Sequence, residues 1–177
     1  QLRRGVPADV VIMSREGLSE LIAEGTIAAD TEVDLAQTPL GVSVRAGAPK
    51  PDISTVEKFK QTLLRSTSFT YPGSTTGIYM STTLFPRLGI AEAMATKTTT
   101  AGVAAVATGA AEIAVQPVSE LLHMTGVDFV GTIPADIQYV SVFSAAVVAG
   151  TKESEASKRL IAFLASERAT AAIRNRG

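Results

Sequence analysis

Apolar residues follow two alternating rhythms along this chain. A short continuous run at residues 10–13 marks a strand covered on both faces, and the mainly apolar stretches 40–44, 69–71, 113–115, 127–130 and 139–148 read as further strands. Between them the spacing becomes helical. Leu18, Leu21 and Ile22 form one stripe, and Val56, Phe59 and Leu63 a second. Ile78, Phe85 and Leu88 form a third, and Val103, Val106 and Ala107 a fourth. Residues 118–124 predict a short helix, and Ala156, Leu160, Phe163 and Leu164 mark the last long one. Polar punctuation agrees with these boundaries. Ser14 stands where a cap belongs, and Ser54-Thr55-Val56-Glu57 matches a capping box with Ser54 as the cap. Gly25, Gly89, Gly109 and Gly126 stand as stops. Residues 1–5 read as the tail of a helix, with Arg3 and Arg4 in the last turn and Gly5 ending it.

This alternation predicts an α/β fold with largely parallel strands. The two longest apolar strands, around Val42 and Val142, bracket a block with strands and helices of its own. The simplest layout is two α/β lobes joined by two crossing strands. Residues 1–47 plus 139–177 form lobe 1, residues 48–138 form lobe 2, and a ligand is expected in the cleft between them.

Composition narrows the chemistry. The 177 residues are 46% apolar and 19% charged, as in a globular protein that can bury a core. A formal net charge of -1 provides no basic field for nucleic acid. No apolar run approaches the roughly 20 residues that span a bilayer, so no direct membrane insertion is expected. No signal-peptide pattern lies within these residues. Absence of cysteine excludes thiol catalysis, disulfides and cysteine-held metals. A zinc site built on histidine, or a serine–histidine triad, would have to use His123, the only histidine. His123 reads instead as a polar residue near a helix end. No phosphate-binding glycine loop and no nucleophile elbow occur. Asp52, Glu112, Glu120 and Asp128 are scattered as on a solvated surface, with no metal-binding pattern. The expectation is a binding protein, not an enzyme, without cofactor or metal.

Small polar residues recur where strands hand over to helices. Ser74-Thr75-Thr76-Gly77 follows one strand, Thr98-Thr99-Thr100-Ala101-Gly102 opens another helix, and Ser14 follows Met13. Helix starts offer free N–H groups and roughly half a positive charge. Hydroxyls add neutral donors, and Gly77 and Gly102 let the backbone come close to a ligand. Neither the Ser74 nor the Thr100 segment contains lysine or arginine. A dry pocket of neutral donors can hold a desolvated anion. The alternative is plain helix capping.

Gly5-Val6-Pro7-Ala8-Asp9-Val10-Val11-Ile12-Met13-Ser14 resembles a segment of the molybdate-type periplasmic substrate-binding proteins of ABC transporters. Leu40 to Pro49 resembles their first hinge strand, Thr76-Gly77-Ile78-Tyr79 their cleft-helix start, and Ser119 to Gln138 their later strand–loop–strand region. The similarity covers almost the whole chain.

The resemblance implies the class II bilobed binding-protein fold, a periplasmic location and delivery of a small anion to an ABC transporter permease. It implies ligand contacts from Thr76 and from Thr100 or Ala101, while the helix-start reading adds Ser74, Thr75, Gly77, Gly102 and, as contact or cap, Ser14. Where the family carries a tyrosine after the second cleft helix, this sequence has Gln116, which is expected to replace that donor. Molybdate or tungstate is the first candidate ligand, and a small organic carboxylate the second. An effector-binding domain of a cytosolic transcription regulator is the alternative of another class. The resemblance also implies that lobe 1 lacks an N-terminal strand–helix–strand unit, leaving a sheet edge that invites pairing between chains.

Overall fold

The computed structural model describes residues 2–175. In chain order the elements are β1 (Val10–Ser14), α1 (Arg15–Ala23), β2 (Val33–Arg45), α2 (Val56–Arg65), β3 (Phe69–Thr70) and α3 (Thr75–Ile78). α3 passes through a π-helical segment (Tyr79–Leu84) into α4 (Phe85–Leu88). Then come α5 (Ala91–Ala95), β4 (Thr98–Thr99), α6 (Ala104–Thr108), β5 (Ile113–Pro117), α7 (Val118–Leu121) and β6 (Val127–Thr132). β7 (Val140–Val147), α8 (Ser154–Leu164) and α9 (Glu167–Arg174) complete the chain. The fold is mixed α/β, as the alternation predicts. At the start, Leu2–Arg4 form a single 3-10 turn closed by Gly5, whose N–H donates to Leu2 O at 2.9 Å with φ +75. Gln1, part of the expected helix tail, lies outside the described residues.

Contacts divide the chain into two compact units. One takes the residues up to Gln37 and those from Val142 onward, and the other is Thr38–Ser141. In the first unit β1 runs antiparallel to β7, from Val10 opposite Val147 to Ser14 opposite Phe143. Leu18, Leu21, Ile27 and Ala146 form one small apolar cluster, and Ala145, Val147 and Ile161 another. Fully buried Ser144 donates to Asp34 Oδ1 at 2.7 Å, and Arg15 holds the same carboxylate. The expected stripe on α8 is displaced. Ser157 and Ile161 are buried while Leu160 and Phe163 stay about half exposed. The inward face begins with a serine, which an apolar pattern skips.

In the second unit the strand order is β2-β5-β3-β4, with β6 on the other side of β2. β5 and β6 both run antiparallel to β2, and only β3 pairs in parallel, with β4 and β5. The expectation of largely parallel strands is therefore corrected. An unbroken apolar run reports burial on both faces, whereas direction follows from the connections. The core gathers Phe59 and Leu63 of α2, Val42, Phe69, Met80, Leu84, Phe85, Met94, Ile113, Val115, Ile133 and Ile137. Phe69 meets Tyr71 and Phe85 edge to face, each with centroids 5.8 Å apart.

Two local expectations also shift. Thr55, not Ser54, caps α2, accepting the Lys58 N–H at 3.2 Å, while Ser54 N–H donates to Asp52 Oδ1 at 3.0 Å. Ile78 is 64% exposed, although its spacing with Phe85 and Leu88 suggested one face. Pro86 has no N–H to continue the ladder, and the turn before it widens so that Phe85 N–H reaches back to Met80 O. Each wider turn rotates the following residues relative to α-helical phase.

Candidate functional site

The second unit assembles its hydroxyl-rich segments at the carboxyl ends of its parallel strands. Beyond β3 the chain passes through Tyr71 and Pro72, and beyond β4 through Thr100 and Ala101. Pro72 and Ala101 form a bridge, and Tyr71 N–H donates to Thr99 O at 3.2 Å. Thr70 Oγ1 donates to the same carbonyl at 3.3 Å. A Cβ built on Gly73 would lie 3.8 Å from Thr100 Cβ. Ser74–Gly77 and Thr98–Gly102 are thus neighbours in space, and Gln116, near the end of β5, joins them.

Hydroxyls in this corner differ in what they do. Ser74 occupies the cap position of α3, with extended backbone at φ -116 and ψ -164, yet its side chain makes no capping bond. It is exposed. Thr76 is buried at 1% exposure, and Thr100 is exposed. Thr98 Oγ1 is buried with no partner among the described residues. Farther along, Ser81 donates to Gly77 O at 2.8 Å and Thr82 to Ile78 O at 2.7 Å, so these two are satisfied by their own helix.

The two glycines serve the fold closely. A Cβ on Gly77 would lie 2.5 Å from Pro72 O and 3.0 Å from the Tyr71 ring, so its bareness lets the helix start sit against the end of β3. Gly102 adopts φ +70, and a Cβ there would approach Gln116 Oε1 to 2.9 Å. Gln116 itself is only 4% exposed. Its Oε1 accepts the Val103 N–H and its Nε2 donates to the Glu120 carboxylate. Both ends of the amide are therefore engaged within the unit.

Ser14 belongs to the other unit, ending β1 and capping α1 by accepting the Gly17 N–H at 3.4 Å.

Charge near the corner is arranged by neighbouring elements. Lys97 precedes Thr98 in sequence, but its ammonium donates to Leu63 O, Leu64 O and Ser66 O at 2.8, 2.8 and 2.7 Å. It closes the end of α2. Glu120, expected on a solvated surface, is exposed but holds Gln116. Its position four residues after Gln116, across a strand-to-helix junction, was the only sequence signal for this contact. Tyr79 donates to Ile137 O at 2.9 Å and stacks on Tyr139 with centroids 4.9 Å apart. Burial pushes its phenol above the ordinary value, against a smaller opposing effect of Arg87.

A groove of about 600 Å³ between α2 and the 48–52 loop shares no residue with this corner. Its polar wall includes the Lys58–Asp52 ion pair at 2.7 Å. Among the described residues no three acidic or histidine side chains gather as a metal site, and no helix is long and apolar enough to cross a membrane. His123 sits exposed in the turn after α7.

The sequence model of a family described as bacterial extracellular solute-binding protein matches residues 1–177. Aconitate isomerase from a Pseudomonas species is 40% identical over 181 aligned residues, which span 100% of this chain and 69% of that protein. Among solved structures, the sulfate-binding protein SubI from Mycobacterium tuberculosis H37Rv superposes with a TM-score of 0.76 at 17% identity, covering 99% of this chain and 70% of that one. The periplasmic molybdate-binding protein of Azotobacter vinelandii gives 0.72 at 17% identity, covering 100% and 80%. At such identities these structures speak for the fold alone.

Proposed function

The chain belongs to the bacterial extracellular solute-binding protein family, and from that premise we propose that it captures a small organic carboxylate and presents it to the permease of an ABC importer. The donors are uncharged: the Ser74 hydroxyl, Thr76 and the first-turn N–H groups, with the backbone and hydroxyls of Thr98–Gly102. The observation that carries this reading is Ser74. Ser14 and Thr55 stand at helix starts and cap them, whereas Ser74 stands at one and leaves its hydroxyl unused by the helix. An exposed donor beside an exposed threonine and a glycine turn suits a solute that supplies the missing acceptor.

A carboxylate is preferred to a tetrahedral oxyanion because the 40% identical relative bears the name of an enzyme of aconitate. Molybdate has in its favour the segment resemblance and a likeness of fold at 17% identity. That relative's name also favours a second reading, in which the chain isomerises the carboxylate it holds.

Thermal unfolding with aconitate, citrate, acetate, molybdate and sulfate tests the ligand class. A true ligand at about 100 times its Kd adds roughly 2.7 kcal/mol to stability, so a multicarboxylate should raise the midpoint and molybdate should not. Stabilisation by molybdate alone would overturn the carboxylate reading. Proton NMR of aconitate mixed with the protein separates receptor from isomerase: conversion above the buffer rate would establish catalysis, and an unchanged spectrum with a stabilised protein would establish a receptor.

A further inference from the structure

We infer that Glu120 is a positioning residue for the proposed ligand corner, acting through the buried amide of Gln116. This deepens the functional reading above and rests on it for its purpose, though not for its test. An amide side chain is nearly symmetric in shape but not in hydrogen bonding: one end only accepts, and the other donates. Gln116 faces a different demand at each end. Val103 N–H can only donate, and the Glu120 carboxylate can only accept. These two partners leave one orientation, with Oε1 toward Val103 and Nε2 toward Glu120.

The orientation matters because Gly102 and Val103 form the turn that ends the Thr98–Gly102 segment. Gly102 holds φ +70, a Cβ there would meet Gln116 Oε1, and Val103 is 8% exposed. A reversed amide would set an N–H group against the Val103 N–H, leaving a buried donor facing a donor. Glu120 therefore holds, from the other end, the amide state that the Val103 N–H requires at the close of the Thr98–Gly102 segment. Glu120 is itself exposed and lies outside that backbone, so it acts at one remove from any ligand.

The test compares Glu120→Ala, Glu120→Gln and Glu120→Lys in the full chain without ligand, by hydrogen exchange of the Val103 amide. The amides of Ala114 and Val115 in β5 serve as folding controls. Loss of the acceptor in Glu120→Ala should speed Val103 exchange about tenfold, because the Nε2 end of the amide loses the partner that steadies it. Glu120→Gln keeps an acceptor and should stay within about twofold of the parent. Glu120→Lys presents only donors and should be at least as fast as the alanine variant. In all three the control amides should remain protected.

Unchanged Val103 exchange in Glu120→Ala and Glu120→Lys would overturn the inference. So would equal acceleration in Glu120→Gln and Glu120→Ala. If no carboxylate or oxyanion binds the parent protein, the functional reading fails while this comparison still decides the role of Glu120. If a carboxylate binds, its affinity should fall in Glu120→Ala and recover in Glu120→Gln.

Discussion

Ser14, Thr55 and Ser74 hold the same place relative to a following helix, but only two of them bond to it. In sequence the three are equivalent, since each is a small hydroxyl residue before a helical stretch. What separates them is that Ser14 and Thr55 accept a first-turn N–H and Ser74 does not. Removing the capping hydroxyl in Thr55→Ala should cost about 1 kcal/mol. Ser74→Ala should change stability by no more than about 0.5 kcal/mol, as for a surface site without such a bond. Urea unfolding of the two variants checks this. A loss in Ser74→Ala as large as in Thr55→Ala would return Ser74 to the role of a cap. Gln116 teaches a related lesson. The substitution of a family tyrosine drew attention to it as a donor, while the structure commits its amide to Val103 and Glu120.

At the scale of elements, α1, α2 and α6 lie where the apolar spacing puts them, α7 ends three residues before the expected 124, and α5 and α9 carry no stripe that the spacing singles out. α2 was read correctly from Phe59 and Leu63, both fully buried. In the α3–α4 run Ile78 leaves the buried face because the π-helical turns ahead of Pro86 change the helical period. The end of α2 depends on a residue remote in sequence. Lys97 donates to three carbonyls there, two of them from the last turn of the helix, where a cation complements the dipole. Lys97→Met preserves the aliphatic stem and removes the donors. It should lower stability by about 1–3 kcal/mol, with carbonyls left unpaired. A shift in the urea midpoint too small to resolve would mean that water replaces the ammonium without cost.

Across the whole chain, the second unit carries the large core and the first two small clusters. Tyr79 ties that large core to the 135–139 segment, through Ile137 O and the Tyr139 ring. Its raised phenol pKa has a definite consequence for stability against pH. A group whose folded value lies above its unfolded value of 10.0 contributes stability below pH 10, and that stability is lost as the pH rises through the folded value. Tyr79→Phe should therefore flatten the alkaline side of the stability profile while costing about 1 kcal/mol near neutrality for the lost hydrogen bond. A parent protein whose stability does not fall above pH 10 would contradict this. The alternation of strands and helices, the absence of cysteine chemistry and the two hydroxyl-rich segments are legible in the order of residues, because they depend on composition and on neighbours within about one helical turn. Which strands run antiparallel, which hydroxyls serve as caps, and the meetings of Pro72 with Ala101 and of Gln116 with Val103 and Glu120 emerge in the folded chain alone. Those outcomes rest on pairings between segments far apart in the chain, whose hydrogen bonds leave no periodic trace in the order of residues.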